Sequence, residues 1–248
     1  MRAAGRVIEG SLGGATAAPF NQPIGPHRRF DWLPMSLDEI DRVRGRLGGT
    51  VNDVVLAVVA GAISRWLRQS RQTDVDELEF KVMTPVSMRM AGERGRLGNR
   101  VAAWFVPLPL AEHDRRRRYQ LVREATARLK KRHEALGGET ITQVVEWLGP
   151  APVSLAARYL QGASPFNMVV TNVPGPRTPL YLLGARMLEA HPLVPLLGTL
   201  GLGIALLSYE RTLSWGFTAD WDLVPDLHEL VVDVQREFTL LREVAEQG

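Results

Sequence analysis

The sequence contains no cysteine, and this absence excludes several kinds of chemistry. Disulfide bonds, thiolate nucleophiles and cysteine-ligated zinc sites all need a residue that the chain does not have. The five histidines do not replace them, because no two stand at metal-ligand spacing within a helix and no His-Glu-x-x-His motif occurs. We therefore predict that the chain holds no metal ion.

Familiar short motifs of enzymes are missing as well. The chain has no Gly-x-Ser-x-Gly nucleophile elbow, no Walker loop and no Gly-x-Gly-x-x-Gly fingerprint. Gly201-Leu202-Gly203 is a fragment of such a fingerprint, but it leads into a predicted strand rather than a helix. Local sequence therefore assigns no catalytic residue and no bound cofactor.

Long apolar runs and a secretory leader are also lacking. The opening residues carry charges and no apolar core segment, so we expect no signal peptide. The longest uncharged apolar stretch, 193–209, contains Pro195 and several glycines and falls short of the roughly 20 residues that a membrane-spanning helix needs. With no cysteine and a formal charge of only +3, the sequence fits a cytoplasmic protein.

What is present is the pattern of an α/β domain. Residues 1–34 are rich in Gly, Pro and Ala and indicate a linker or extended arm. Ser36 is placed to cap a first helix, with Glu39 completing a capping box and Gly48-Gly49 ending it; Thr50 and Asp53 then begin a helix that is apolar on nearly every face. Strands are predicted at 80–86, 101–108, 168–173, 202–209 and 212–220, and further helices at 112–134, at 140–161 and after Pro225. This order predicts a mixed β-sheet flanked by helices.

Five segments, taken in order, resemble the C-terminal domain of the wax ester synthase/diacylglycerol acyltransferase family. Any one of them is weak evidence, but their order and spacing together are specific. They are residues 19–30 (PFNQPIGPHRRF), 50–57 (TVNDVVLA), 85–89 with 97–100 (PVSMR and LGNR), 171–176 with 179–181 (TNVPGP and PLY), and Ser208-Tyr209 with Gly216. One departure is Arg211, which replaces the glycine usual in the Ser-Tyr-x-Gly turn.

The resemblance implies a fold and a reaction. The family is similar to chloramphenicol acetyltransferase, in which two α/β domains form a pseudo-dimer with an active-site tunnel between them. We therefore expect one half of such a two-domain fold, with residues 1–16 as the remnant of an inter-domain linker and 17–248 as the C-terminal domain. The implied function is transfer of a fatty acyl group from acyl-CoA, a substrate rather than a cofactor, to diacylglycerol or a long-chain alcohol.

The same resemblance implies that the chain is inactive alone. In the family, a His-His-x-x-x-Asp-Gly motif on the N-terminal domain supplies the general base, and this sequence has no His-His pair. The chain is thus interpreted as a domain fragment, a split-gene product or a diverged member, and an N-terminal catalytic domain is the expected partner, in cis or in trans.

Candidate tunnel or CoA-binding residues follow from the matching motifs, and each has a structural alternative. Asn52 and Asp53 match the family's Asn-Asp motif, but Thr50 and Asp53 also form a helix cap. Asn172 and Gly175 match a segment that would line the acyl tunnel, although a strand-ending turn in which glycine supplies an unusual backbone dihedral is the favoured explanation. Arg89, Asn99 and Arg100 flank a loop where they would meet CoA phosphates or remain solvated.

The basic helix at 112–134 leaves a second function open. Its arginine run suggests either a plain solvated face or contact with an anionic membrane or lipid inclusion, while no aromatic pattern or motif supports nucleic-acid binding. The alternative to an acyltransferase half is therefore a non-catalytic lipid-surface or scaffold protein on the same fold. The expected location is the cytoplasm, either free or peripheral to the inner membrane or lipid inclusions.

Overall fold

The structure is a computed structural model, and it describes residues 15–87, 101–135 and 164–247. Within them, the strands are β1 (Arg28–Ser36), β2 (Lys81–Ser87), β3 (Val101–Pro107), β4 (Met168–Val173), β5 (Tyr181–Leu182), β6 (Ala185–Arg186), β7 (Leu202–Tyr209) and β8 (Thr212–Asp220). The helices are α1 (Leu37–Leu47), α2 (Val51–Gln69), α3 (Arg115–Ala135) and α4 (Leu227–Glu246).

Six strands form one mixed sheet in the order β1-β8-β7-β4-β2-β3. The central strands β2, β4 and β7 are parallel, while β1, β8 and β3 run antiparallel to their neighbours. Strands β5 and β6 make a separate small hairpin. The prediction of a mixed sheet flanked by helices is therefore confirmed.

The main core lies between the sheet and the helices. Alternate residues of the strands face this layer, as in β7, where Leu202, Ile204 and Leu206 are all buried against it. A smaller cluster, which includes Phe166, Val194 and Ala205, covers part of the opposite face. We call this second face, which the helices do not cover, the open face of the sheet.

Most predicted elements are found within a few residues of their expected ends. The hairpin of β7 and β8 and strand β4 have the predicted bounds, and Gly48 and Gly49 follow α1 with positive φ angles of 71° and 99°. In the β7–β8 turn the positive φ of 51° falls on Glu210, and Arg211 is not among the described residues with a positive φ. A side chain at position 211 is therefore compatible with the turn. The helical stretch predicted at 140–161 lies outside the described residues.

Two predictions were wrong. Residues 28–34, interpreted as part of a linker or arm, belong to edge strand β1, which pairs along its whole length with β8. Ser36 does occupy the N-cap position of α1, but its side chain makes no capping hydrogen bond. Glu39 instead bonds to Arg242 of α4, so it ties the first helix to the last rather than completing a capping box.

Helix α2 is the centre of the helical layer, as its apolar sequence predicted. Every residue from Asp53 to Ser64 is buried, and the helix packs against α1, α3 and α4. Gly61 leaves room at one contact for the ends of the Arg118 and Glu237 side chains, which a Cβ atom at this position would displace. Among the described residues no single helix is long and apolar enough to cross a membrane, and α1 with α2 reaches that threshold only as a pair bent by 95°.

The arginines at the start of α3 are mostly structural, contrary to the expectation of a solvated face. Arg118 is buried and donates to Glu237 of α4 at 3.0 Å, and Arg115 donates to the same carboxylate at 3.1 Å. Arg116 donates to the carbonyl oxygen of Val244 at 2.8 Å. Burial alone would raise the pKa of Glu237, but hydrogen bonds and charge from Arg115 and Arg118 outweigh it and hold that pKa below its ordinary value.

We expect Glu237→Gln to lower the free energy of unfolding at pH 7 by about 3 kcal/mol, since it leaves a buried guanidinium without its counter-charge. A carboxyl group with a lowered pKa stabilises the fold above its unfolded-state pKa, so the stability of the parent protein should fall on acidification below pH 4.5. Urea unfolding at pH 7 and pH 4 measures both effects. The exposed Glu243→Gln on the same helix is the matched control, and equal stabilities of the two variants would contradict the prediction.

Candidate functional site

The candidate site lies at the edge of the sheet where the parallel strands end. Strands β2, β4 and β7 run in the same direction, so Ser87, Val173 and Tyr209 all lie at this carboxyl edge. The buried helix α2 begins here, and β3 starts here opposite Ser87. Carboxyl edges of parallel strands are where α/β folds commonly bind ligands, because the side chains of several strand ends converge.

Two of the predicted site residues are in direct contact at this edge. The side-chain amide Nδ2 of Asn172, at the end of β4, donates to Oδ1 of Asn52 in the first turn of α2 at 2.8 Å. Both side chains are half-buried. Because the oxygen of Asn52 accepts this bond, its two N–H groups are directed away from Asn172 and are available to an acceptor oxygen.

Asp53 is committed to holding the helix. Its Oδ2 accepts hydrogen bonds from the backbone N–H and the hydroxyl of Thr50 at 2.7 and 2.8 Å. In return, the backbone N–H of Asp53 donates to Thr50 Oγ1, and the reciprocal bonds form a capping box. Its Oδ1 accepts from Thr126 of α3 at 2.6 Å. The geometry thus supports the capping interpretation of Asp53 over substrate contact, and it joins α2 to α3.

The same junction contains a buried tyrosine. The hydroxyl of Tyr119 on α3 donates to the carbonyl oxygen of Gly48 at 2.6 Å. Burial is the main cause, and the nearby charge of Asp53 the second, of a rise in the pKa of Tyr119 to about 12. The phenol therefore stays protonated and can donate its hydrogen bond to Gly48. Helix α3 therefore holds both the first turn of α2, through Thr126, and the junction before it, through Tyr119.

Gly175 lies close to the Asn52–Asn172 pair, but its role is one of close packing. Its N–H donates to Oγ of Ser208 at 2.9 Å, and a Cβ atom at this position would clash with the carbonyl oxygen of Ser208. Its φ is not in the positive range, so the predicted reason, an unusual dihedral, was wrong. Glycine is needed here because the turn after β4 approaches β7 closely.

Arg89 and Asn99, with Arg100, lie outside the described residues. The strand ends that flank them, Ser87 and Val101, pair with each other at the carboxyl edge. Their assignment as CoA-binding residues stays a prediction.

A largely exposed apolar segment continues from the site. After Gly175 the chain crosses the tip of the β7–β8 hairpin, where the hydroxyl of Tyr209 accepts from the N–H of Leu180 at 2.9 Å and donates to the carbonyl of Met187 at 3.0 Å. The exposed large apolar side chains here and on the adjoining open face are Phe30, Trp32, Val173, Leu180, Tyr181, Leu182, Leu183, Leu188, Leu193 and Leu197. We call these ten residues the apolar surface.

None of the four histidines whose side chains the structure describes is placed to act as a base at the Asn52–Asn172 pair. His27 and His228 lie near the opposite end of β1, where His228 pairs with Asp31 at 2.7 Å. His113 precedes α3 at the end remote from Thr126, and His191 pairs with Glu189 beside Trp32 on the open face. The residues that the structure describes also contain no group of three acidic or histidine side chains able to hold a metal.

Comparison with protein families agrees with this architecture. The sequence model of the WS/DGAT C-terminal domain matches residues 97–242, more than half of the chain. The chain belongs to the wax ester synthase/diacylglycerol acyltransferase family. A second model, the wax ester synthase/diacylglycerol acyltransferase catalytic domain, matches residues 3–55, a range that includes Asn52 and Asp53. The expected boundary at residues 16 and 17 stays a prediction.

Relatives support the same assignment. A Mycobacterium tuberculosis protein whose name assigns it to the diacylglycerol O-acyltransferases is 32% identical over 219 residues, which are 86% of this chain and 43% of that protein. O-acyltransferase WSD of Acinetobacter baylyi is 28% identical over 231 residues, 93% of this chain and 50% of the relative. The chain thus spans about half the length of these curated relatives.

Solved structures share the fold. The wax ester synthase/diacylglycerol acyltransferase from Marinobacter aquaeolei VT8 superposes with a TM-score of 0.76 at 24% identity, covering 99% of this chain and 56% of that one. The epimerization domain from the third module of tyrocidine synthetase B gives a TM-score of 0.62 at 13% identity, covering 100% and 56%. The prediction of one half of a two-domain, chloramphenicol acetyltransferase-like fold is therefore confirmed.

We expect Asp53→Ala to lower the free energy of unfolding by about 2 kcal/mol, because it removes a helix cap and leaves Thr126 without its acceptor. Asn52→Ala should cost about 1 kcal/mol or less, since it loses one half-buried hydrogen bond. Urea unfolding of the two neighbouring variants gives the comparison. A larger loss for Asn52→Ala would mean that Asn52, not Asp53, holds the start of α2.

Proposed function

We propose that this chain is the C-terminal half of an enzyme that transfers a fatty acyl group from acyl-CoA to diacylglycerol or a long-chain alcohol. The observation that carries the proposal is the contact between Asn52 and Asn172 at the carboxyl edge. Two matching family motifs, 120 residues apart in sequence, meet there through their side chains. The WS/DGAT family membership supports the reaction class.

In this proposal the Asn52–Asn172 pair lies on one wall of the substrate tunnel. The free N–H groups of Asn52 bind a carbonyl oxygen of the acyl-CoA, and Asn172 holds the Asn52 amide in the orientation that presents them. A fixed amide donor suits a carbonyl acceptor, since the ordering of the side chain is already complete before the substrate arrives.

The other wall and the base are assigned to an N-terminal half, in cis or in trans. That half supplies a histidine that takes the proton from the acceptor hydroxyl as the oxygen attacks the thioester carbonyl. The C–S bond then breaks, and the leaving thiolate of CoA takes up the proton. No metal or bound cofactor takes part in this scheme.

The apolar surface is the contact region for the missing half. Val173 and residues 180–183 adjoin the carboxyl edge, and Phe30 lies on the open face near the opposite edge. Leu182 and Leu183 are 76% and 100% exposed. An exposed apolar region of this extent marks a surface that another chain or domain covers. The proposed occupant is the N-terminal half, because this chain accounts for only 56% of the Marinobacter structure that it matches.

The proposed enzyme is cytoplasmic and meets its lipid acceptors at the inner membrane or at lipid inclusions. Contact with anionic lipid through the first turns of α3 is not part of the proposal, because Arg115, Arg116 and Arg118 are directed at α4. This use of the arginines also weighs against the lipid-surface scaffold as the main function.

Ester formation tests the proposal directly. We expect no wax ester or triacylglycerol from the isolated chain with palmitoyl-CoA and hexadecanol or dipalmitoylglycerol, and clear turnover when the chain is fused to an N-terminal half carrying His-His-x-x-x-Asp-Gly. A general base contributes on the order of 10² to 10⁴ in rate. Equal rates with and without the added half would refute the assignment of the general base to that half. Binding of the isolated chain to lipid vesicles, with no turnover by the fused protein, would favour the lipid-surface scaffold instead.

Asn52→Asp in the fused enzyme tests the role of the amide. The carboxylate still accepts from Asn172, so stability should hold, but it presents an oxygen where the parent presents N–H groups. We expect KM for palmitoyl-CoA to rise about tenfold, the factor for one lost hydrogen bond. Gln69→Glu, which adds the same charge at an exposed position at the far end of α2, is the control. An unchanged KM in Asn52→Asp would remove Asn52 from the substrate site.

A further inference from the structure

The second half of α3 extends past the start of α2 toward the candidate site. The two helices are antiparallel neighbours, because Gly61 of α2 lies against Arg118 and Asp53 accepts from Thr126. Moving from Arg118 to Thr126 along α3 therefore leads from the middle of α2 to its first turn. The turns of α3 that follow Thr126 therefore continue toward the carboxyl edge of the sheet, where α2 begins.

Lys130 lies on the part of α3 that extends past α2. Residues four apart share one helix face, so Lys130 follows Thr126 on the face that looks toward the start of α2. At 1.5 Å per residue it lies about 6 Å further along the helix axis. Its side chain is exposed, whereas Lys131 is rotated by about 100° around the helix.

The basic residues of α3 divide into two groups by their contacts. Arg115, Arg116 and Arg118 are used in the contact with α4, and Arg123 donates to the carbonyl oxygen of Leu47 at 2.6 Å. Glu124 faces Arg117 at 3.9 Å and Arg128 at 3.8 Å. Neither Lys130 nor Lys131 takes part in an ion pair within the ranges that the structure describes.

We propose that Lys130 binds a phosphate group of the acyl-CoA at the mouth of the site. This inference rests on the proposed function, which brings a polyanionic nucleotide to the carboxyl edge. A free ammonium group next to the start of α2 suits a phosphate, which lysine binds as a point charge. The structural alternative is that lysines near the C-terminus of α3 stabilise the helix through its dipole, which would apply to Lys130 and Lys131 equally. Phosphate binding instead requires only Lys130, the lysine on the same face as Thr126.

Lys130→Gln and Lys131→Gln form a matched pair, since they remove the same charge from adjacent positions on two helix faces. In the fused enzyme we expect Lys130→Gln to raise KM for palmitoyl-CoA three- to fivefold, the factor for one exposed charge pair, and to leave KM for palmitoyl-pantetheine unchanged. Lys131→Gln should leave both unchanged. Equal effects of the two variants, or an equal rise with the substrate that lacks the nucleotide, would overturn the proposal.

A binding measurement separates this proposal from the catalytic one. Titration of the chain itself with adenosine 3′,5′-bisphosphate at low ionic strength needs no turnover. We expect three- to fivefold weaker binding for Lys130→Gln than for Lys131→Gln, and a difference that shrinks in salt. Equal binding by the two variants, or no detectable binding by the parent chain, would refute the role of Lys130. A fusion that makes no ester while the binding difference persists would refute the acyltransferase instead.

Discussion

The enclosure of helix α2 is the constraint on which the rest of the structure depends. Its residues from Asp53 to Ser64 are buried on all sides, between the sheet and three other helices. A helix buried in this way cannot slide or rotate without exposing apolar surface or stranding polar groups. At Gly61 the Arg118–Glu237 pair fills the space next to the helix backbone, so a side chain there would displace this buried ion pair.

The position of α2 determines the candidate site. The capping box of Thr50 and Asp53 and the bond from Thr126 hold the first turn of the helix, and the phenol of Tyr119 holds Gly48 in the junction before it. Asn52 is in that turn, so its amide reaches the end of β4 at a fixed place. The bond from Thr126 also fixes α3 against α2, so the end of α3 points toward the carboxyl edge of the sheet.

Much of the fold could be predicted from local sequence. The Thr50–Asp53 cap, the apolar run after it and the β7–β8 hairpin are patterns whose physical causes lie within a few residues. Edge strand β1 was missed because Pro34 and the charged residues of this strand weaken the alternating pattern typical of strands. The strand forms because it pairs with β8, which is distant in sequence. The arginines of α3 were misjudged for a similar reason: their partner Glu237 is more than a hundred residues away.

The site itself was less accessible to sequence reasoning. Nothing local connects Asn52 with Asn172, and only the family resemblance grouped them. No sequence pattern indicated a role for Thr126, because a threonine in a basic amphipathic helix has no distinguishing feature. Its role depends on the packing of α3 beside α2, which brings it to Asp53. The need for glycine at position 175 was predicted, but for the wrong reason: the close approach of Ser208, not a positive φ, requires it.

The central claim is that acyl-CoA binds at the carboxyl edge, against the first turn of α2 and the end of β4. Photo-crosslinking tests it most directly, with a palmitoyl-CoA analogue that carries a diazirine next to the thioester and the chain joined to an N-terminal half. The account predicts labelled peptides containing residues 51–55 and 170–176, with labelling suppressed by excess palmitoyl-CoA. Competable labelling confined to other parts of this chain would contradict it.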